Sequence, residues 1–368
     1  MATGDITQID SFEFDTTSAF DNSTVKISDT HFAVAYTDSA FDGYIKIFSV
    51  DSGGDTITLV STFEYDTVVG YHASLVLIDS THLAVAYTSS GEDGWIKTIS
   101  IDGSYNMATV ASLEHETSDT AHNSLVLIDS THLGLACAVS ISGSIRIKTF
   151  SFDGSYENIT ELDELTVGAN AESQMSLVTI DSTHLALAYS STNCFVETFS
   201  LNGSYVITSV DSYQHSASSA GQSSLALIDS THFGLTFVDS GNAPTIKTFS
   251  INGSYAWTQI DSHTLSGDGG KQNNSLVVDG SILINASAGT NNDGFIDTFE
   301  INDSFIITEL DALEHDTSNG LDNSLILLKS GIVALGYTGN GSDGFTKTFN
   351  VESATPASTG NSAFLMFV

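Results

Sequence analysis

A block of about fifty residues is written seven times in this chain. In its second copy it reads SLVLIDSTHLAVAYTSSGEDGWIKTISIDGSY, Ser74 to Tyr105. The copies open at Ile6, Ile57, Met107, Ile159, Ile207, Trp257 and Ile307, spaced by 51, 50, 52, 48, 50 and 50 residues. A fixed period of this length restricts the chain to a solenoid, an array or a propeller, because one unit cannot bury its own faces.

The grammar inside each copy selects among these. Leu125 to Ile128 is a short apolar run suited to a strand buried on both faces. Asp129-Ser130-Thr131-His132 is a tight turn whose aspartate can accept a hydrogen bond from the backbone two residues on. A second strand of small alternating residues follows, Leu133 to Ala136, and then a third in the I-K-T-F segment. Asp102-Gly103, Asp153-Gly154, Asn202-Gly203 and Asn252-Gly253 then mark a hairpin, since a type I′ turn needs positive φ at both central residues. The last strand, as in Ile307 to Asp311, is more polar and suits an outer rim. Four strands per copy with no helical period predict an all-β chain: a seven-bladed β-propeller of four-stranded antiparallel blades. The chain opens on a last-type strand, ITQIDSFEF at residues 6–14, and its seventh copy runs out at Asn350-Val351-Glu352. The N-terminal strand is therefore expected to complete the seventh blade and close the ring. Residues 1–352 would form the propeller, and residues 353–368 a small-residue linker with an apolar tail.

Charge excludes several partners. Nine Lys and Arg face 45 Asp and Glu, for a net charge of −36. Lys46, Lys97, Lys148, Lys247 and Lys347 share one repeat position, leaving Lys26, Arg146, Lys271 and Lys329 for the rest. No patch can neutralise several phosphates, which argues against nucleic acid and against anionic membrane. No apolar run reaches the ~18 residues of a membrane-spanning helix. MATGDITQID has neither the charged nor the apolar region of a secretory signal, so the expectation is synthesis in a cytoplasm. The two cysteines, Cys137 and Cys194, form no metal or disulfide pattern; Cys137 takes the place of Tyr36, Tyr87, Tyr189 and Tyr337 and reads as core.

The predicted closure resembles that of WD40 propellers, with DGxIKTF where their D-G-x-I-x-x-W stands, although the WD and GH dipeptides are absent. Through SLVLIDSTHLAVAY, DGxIKTFSIDGSY and LEHDT, which span residues 6 to 352, the repeat also resembles propeller repeats in virion proteins of bacteriophages and aquatic viruses. That resemblance implies a particle-surface role, with location on a virion or outside the cell after lysis.

Five histidines recur in the D-x-T-H turn: His31, His82, His132, His184 and His232. Metal–nitrogen bonds of ~2 Å cannot join turns on different blades, so these read as ordering residues of their own or the adjacent blade. A second set, Glu114-His115-Glu116, Glu314-His315-Asp316, His215 and His263, is expected at the end of the propeller with the longer loops. Asp42, Asp93, Asp293 and Asp343 fall in loops at that end and are the candidates for Ca²⁺; no other cofactor is expected. The sixth copy departs from the repeat around Lys271 and Asn273, a candidate partner-binding loop. The tail residues Phe364, Leu365, Met366 and Phe367 are candidates for anchoring to another subunit of an assembly. A sialidase-like site needs several arginines, and Arg146 is the only one; G-x-S-x-G, H-E-x-x-H and P-loop motifs are absent. The reading is a non-catalytic virion-surface adhesion module, a fibre, spike or decoration protein binding host glycan or protein, with exposed aromatics as the expected sugar contacts. The alternatives are a carbohydrate-active enzyme using loop carboxylates and a cytoplasmic protein-interaction scaffold.

Overall fold

The computed structural model describes residues 3–139, 143–169, 175–191, 193–217, 221–238, 244–265, 272–289 and 291–352. Among these, 28 strands form seven four-stranded antiparallel sheets. The first blade runs from an inner strand, Phe20–Ser28, through His31–Thr37 and Gly43–Val50 to an outer strand, Ile57–Asp66. Blades two to six repeat this order, and their inner strands lie against one another around the central axis. The seventh blade takes three strands from the end of the repeat and its outer strand, Ile6–Asp15, from the beginning. Ile6 pairs with Val351, the Gly4 N–H donates to the Glu352 carbonyl at 2.7 Å, and the Glu352 N–H donates to the Asp5 carbonyl at 3.0 Å. The expected propeller and its closure by the N-terminal strand are both present.

The core lies between blades. The second strand of each blade is buried along nearly its whole length, as in Phe32, Val34 and Tyr36 or Leu83, Val85 and Tyr87. Cys137 fills the tyrosine position and is fully buried. The tyrosine hydroxyls reach the preceding blade, Tyr36 donating to Asp15 and Tyr87 to Asp66, both at 2.9 Å.

Three further devices join each blade to the next, and each has a fixed place in the repeat. A serine on every inner strand accepts the N–H of the following blade at 2.8 to 3.0 Å: Leu75 on Ser23, Leu125 on Ser74, Leu177 on Ser124, Leu225 on Ser176, Leu276 on Ser224, Leu325 on Ser275 and Thr24 on Ser324. Of the five repeat lysines four are buried and Lys97 is half-buried, and each ammonium donates to an outer-strand carbonyl of the blade before: those of Phe14, Tyr65, His115, His215 and His315. The D-x-T-H histidines stack on rings of the adjacent blade at the turn end, His132 on Tyr205 and His184 on Tyr255 at 3.5 Å, and His232 on Phe305 at 3.6 Å. They order blade junctions, as the sequence pattern indicates.

The loop glycines answer to packing. A Cβ at Gly94 or Gly294 would lie 2.6 or 2.4 Å from the rings of His115 and His315. These outer-strand histidines are buried inside the blades, with both ring nitrogens unpartnered. Burial pushes each of them, and His215, down to about 3, so all three are neutral fillers. They stand near the loop end of their strands, but the pleat that sends Glu114 and Glu314 outward sends the next side chain inward.

Candidate active site

The alternation of strands puts two kinds of loop at the same end: those between second and third strands, and those leading from an outer strand to the next inner strand. The inner strands start there, at the mouth of the central channel. Six inner strands carry a bulge, seen as a register shift between Phe20 and Ser23, Tyr71 and Ser74, Ala121 and Ser124, Gly221 and Ser224, Gln272 and Ser275, and Leu321 and Ser324. In five of them one residue has left-handed backbone: Asp21 (φ 55°), His72 (53°), His122 (54°), Gln222 (24°) and Asp322 (49°). Bulges re-aim a side chain. Here four of the re-aimed residues, Asp21, His72, His122 and Asp322, line one cavity of about 160 Å³ together with Asn22, Asn123 and Asn323.

These four groups occupy four consecutive blades: the seventh, first, second and third. The His72 backbone N–H donates to Asp21 Oδ2 at 2.9 Å, and His72 Nδ1 lies 3.5 Å from Asp21 Oδ1. The His72 and His122 rings are 4.8 Å apart. Thr338 Oγ1 donates to Asp322 Oδ2 at 3.1 Å, and Asn123 Nδ2 donates to the His72 carbonyl at 3.2 Å. Three buried acceptors, Asn22 Oδ1, Asn123 Oδ1 and Asn323 Oδ1, have no protein partner, and neither does His122 Nδ1. The His72 and Asp21 side chains keep 30% and 19% of their surface exposed, so the cluster is open to a small molecule.

The electrostatics separate like from like. Burial works against the charge on Asp21, but hydrogen bonding and attraction to His72 outweigh it and hold Asp21 below its ordinary value. Burial also opposes the charge on His72, and Asp21 again wins, raising it. Burial and the neighbouring His72 push His122 down to about 4. Burial and the charge of Asp21 push Asp322 up to about 6. The result is a histidine–carboxylate pair in which each partner favours the other's charge, beside an imidazole biased toward its neutral form and a carboxyl shifted toward neutrality. Divergence of this kind is how acid and base roles are divided in one site.

Sequence reasoning missed all four. Their positions vary from blade to blade, whereas a repeat draws the eye to what recurs. The signal was the constant offset: each stands two residues before the invariant serine of its inner strand. The proposed Ca²⁺ ligands Asp42, Asp93, Asp293 and Asp343 each precede the third strand of a different blade. Among the described residues, no three His, Cys, Asp or Glu side chains are arranged to hold one metal ion. Asn273 lies in the inner strand Gln272–Asp279 of the sixth blade. Lys271 and the tail residues Phe364 to Phe367 lie outside the described residues.

No protein-family model matches the chain, and no curated protein matches it. Solved structures do. A putative 6-phosphogluconolactonase from Bacteroides fragilis superposes with a TM-score of 0.61 at 13% identity, covering 79% of this chain and 83% of its own. The periplasmic gluconolactonase of Pseudomonas aeruginosa gives 0.63 at 14%, covering 88% and 96%. Saccharomyces cerevisiae Sqt1 gives 0.58 at 13%, covering 96% and 100%. What is shared at this identity is the all-β propeller fold, which in this chain has seven four-stranded blades. The expectation of a non-catalytic virion-surface module is overturned by these neighbours, two of which are named lactonases and none of which points to a virion. The resemblance to particle proteins came from short strand and turn motifs that any propeller of this period needs. An enzyme is compatible with this architecture.

Proposed function

We propose that the protein is a hydrolase of small, uncharged sugar lactones acting at the channel mouth. The observation that carries this is the Asp322–Asp21–His72–His122 arc around a cavity whose other polar groups are amides. Unpartnered amide oxygens suit hydroxyl donors. The names of the two lactonases above supply the substrate class, and the carbohydrate-active alternative survives with its chemistry moved from the loops to the inner strands.

In this reading Asp322 is the general base, with a pKa close to working pH. It takes a proton from water as the water oxygen bonds to the lactone carbonyl carbon. His72, held protonated by Asp21, donates first a hydrogen bond to the developing oxyanion and then a proton to the departing ring oxygen. The ring C–O bond breaks, leaving a hydroxy acid. Neutral His122 and the three asparagines orient the substrate hydroxyls.

Among the described residues no base is placed to bind a phosphate at the cavity, which narrows the substrate. Lys26 pairs with Asp29 at 2.7 Å, Arg146 with Glu116 and Glu164, and Lys329 donates to the Ser52 carbonyl. The five repeat lysines are each bonded to the blade before, and no described Lys or Arg lines the cavity. Hydrolysis of glucono-1,5-lactone and of its 6-phosphate, each measured above the spontaneous rate, tests the reading. The unphosphorylated lactone should be the better substrate, and Asp322→Asn should cost ~10²-fold or more in kcat. Equal rates with and without protein would end it.

A further inference from the structure

The face around the cavity is uneven. Phe20 and Tyr71 directly precede Asp21 and His72, and the same position in other copies holds Ala121, Gly221, Gln272 and Leu321. Phe41 stands in the second-to-third-strand loop of the first blade, where other blades place Glu92, Asn292 and Ser342. All four of these loop residues have left-handed backbone, φ 74° for Phe41 against 65°, 69° and 72°. Asparagine accepts that conformation more readily than an aromatic, although the hairpin residues Tyr105, Tyr156, Tyr205, Tyr255 and Phe305 also adopt it. Yet Phe41 is held there: its N–H donates to the Asp38 carbonyl at 3.1 Å, and its carbonyl accepts the Gly70 N–H at 2.9 Å. It is 48% exposed and Phe20 is 36% exposed. The Phe41 and Tyr71 rings are 5.4 Å apart, and Tyr71 lies 6.2 Å from His72. Aromatic residues thus run from the open rim to the cavity on the two blades that supply the Asp21–His72 pair.

We propose that Phe41 and Tyr71 form a stacking shelf for a second sugar ring, so that the preferred substrate is a lactone carrying a further pyranose rather than a monosaccharide. The inference rests on the carbohydrate reading of the cavity. An aromatic face beside amide and imidazole groups matches a pyranose, which has an apolar ring face and a hydroxylated edge. The shelf is too small for a macromolecular partner. Its exposed rings offer roughly 200 Å², against the ~800 Å² per side of a stable protein interface. Continuity with the cavity places the second ring on the rim while the first occupies the mouth.

The test uses the full chain, cellobiono-1,5-lactone and glucono-1,5-lactone as substrates, and cellobionic acid as a binding probe by saturation-transfer NMR. Phe41→Asn installs the residue the sixth blade already uses at this φ, so folding is preserved; Tyr71→Leu is the second variant. Phe41→Asn should lower kcat/KM for the disaccharide lactone about tenfold, through KM, and leave the monosaccharide lactone unchanged. Cellobionic acid should saturate through its terminal glucosyl protons in the parent chain and not in the variant. If both lactones are hydrolysed and Phe41→Asn changes neither, the shelf is refuted and the hydrolase stands. If cellobionic acid binds through Phe41 but no lactone is hydrolysed, the hydrolase falls and the shelf stands. If the parent neither binds nor hydrolyses, both fall.

Discussion

Asp297 stands where five of the seven blades place a lysine, and there it is an unfavourable residue. It lies in the third strand of the sixth blade, opposite Asn285, and is 8% exposed. Burial, reinforced by Glu309 and Asp311, pushes it up from 3.8 to about 7. A group whose folded pKa exceeds its unfolded one binds more protons when folded, so its contribution to stability falls as pH rises from the lower value to the higher. The loss begins near pH 4 and is complete above pH 7. At about 1.4 kcal/mol for each pH unit in that window, the ceiling is ~4 kcal/mol. A propeller of this size unfolds with an entropy of ~0.7 kcal/mol/K, which makes the ceiling ~5 °C in Tm. Asp297→Asn keeps the shape and removes the charge. Calorimetry of both proteins between pH 4.5 and pH 8 should show nearly coincident Tm values at the acid end and a variant more stable by several degrees at pH 8. A Tm difference independent of pH would refute the assignment of the cost to Asp297 ionisation.

Four other outcomes follow from the geometry. Lactone hydrolysis should follow a bell in pH, rising as Asp322 ionises near 6 and falling as His72 loses its proton above the ordinary histidine value; a flat profile in initial-rate assays would contradict both roles. Ser74→Ala removes the acceptor of the Leu125 N–H between blades two and three and should cost about 1–2 kcal/mol in denaturant titration. His132→Ala removes the ring stacked on Tyr205 and the partner of Asp129, with a cost of about 1 kcal/mol by the same titration and no effect on lactone turnover. Deleting residues 1–15 strips the seventh blade of its outer strand and should abolish cooperative unfolding, which circular dichroism would report.

The architecture was legible because propeller blades repeat the same physical problem. Apolar alternation, Asp-Gly hairpins and a fixed spacing all state it, and the phase of the first strand foretold the seam at Ile6–Val351. The ordering role of the D-x-T-H histidines followed from a geometric exclusion, while the stacking that performs it shows only in the structure. Two other constant positions were visible without their meaning. The repeat lysines were seen, but a sequence does not show that Lys148 is buried against the His115 carbonyl, because that contact crosses from one copy to another. The inner-strand serines were seen as part of a motif, whereas their acceptor role depends on the approach of the next blade. The candidate site was hidden for the opposite reason. Asp21, His72, His122 and Asp322 are dissimilar in sequence and meet only because the bulge on each inner strand turns the same position toward the axis. The buried outer-strand histidines misled, since LEHD looks hydrophilic while its pleat alternates.

The two ends of the propeller meet at one place, where Gly4 bonds to Glu352. The outer strand that starts beside that junction runs toward the cavity end, so the junction itself lies on the far side of the disc. Gly4 and Glu352 themselves therefore lie on the side opposite the channel mouth. A surface or bead attached directly at either of these two residues would leave the mouth turned to solution.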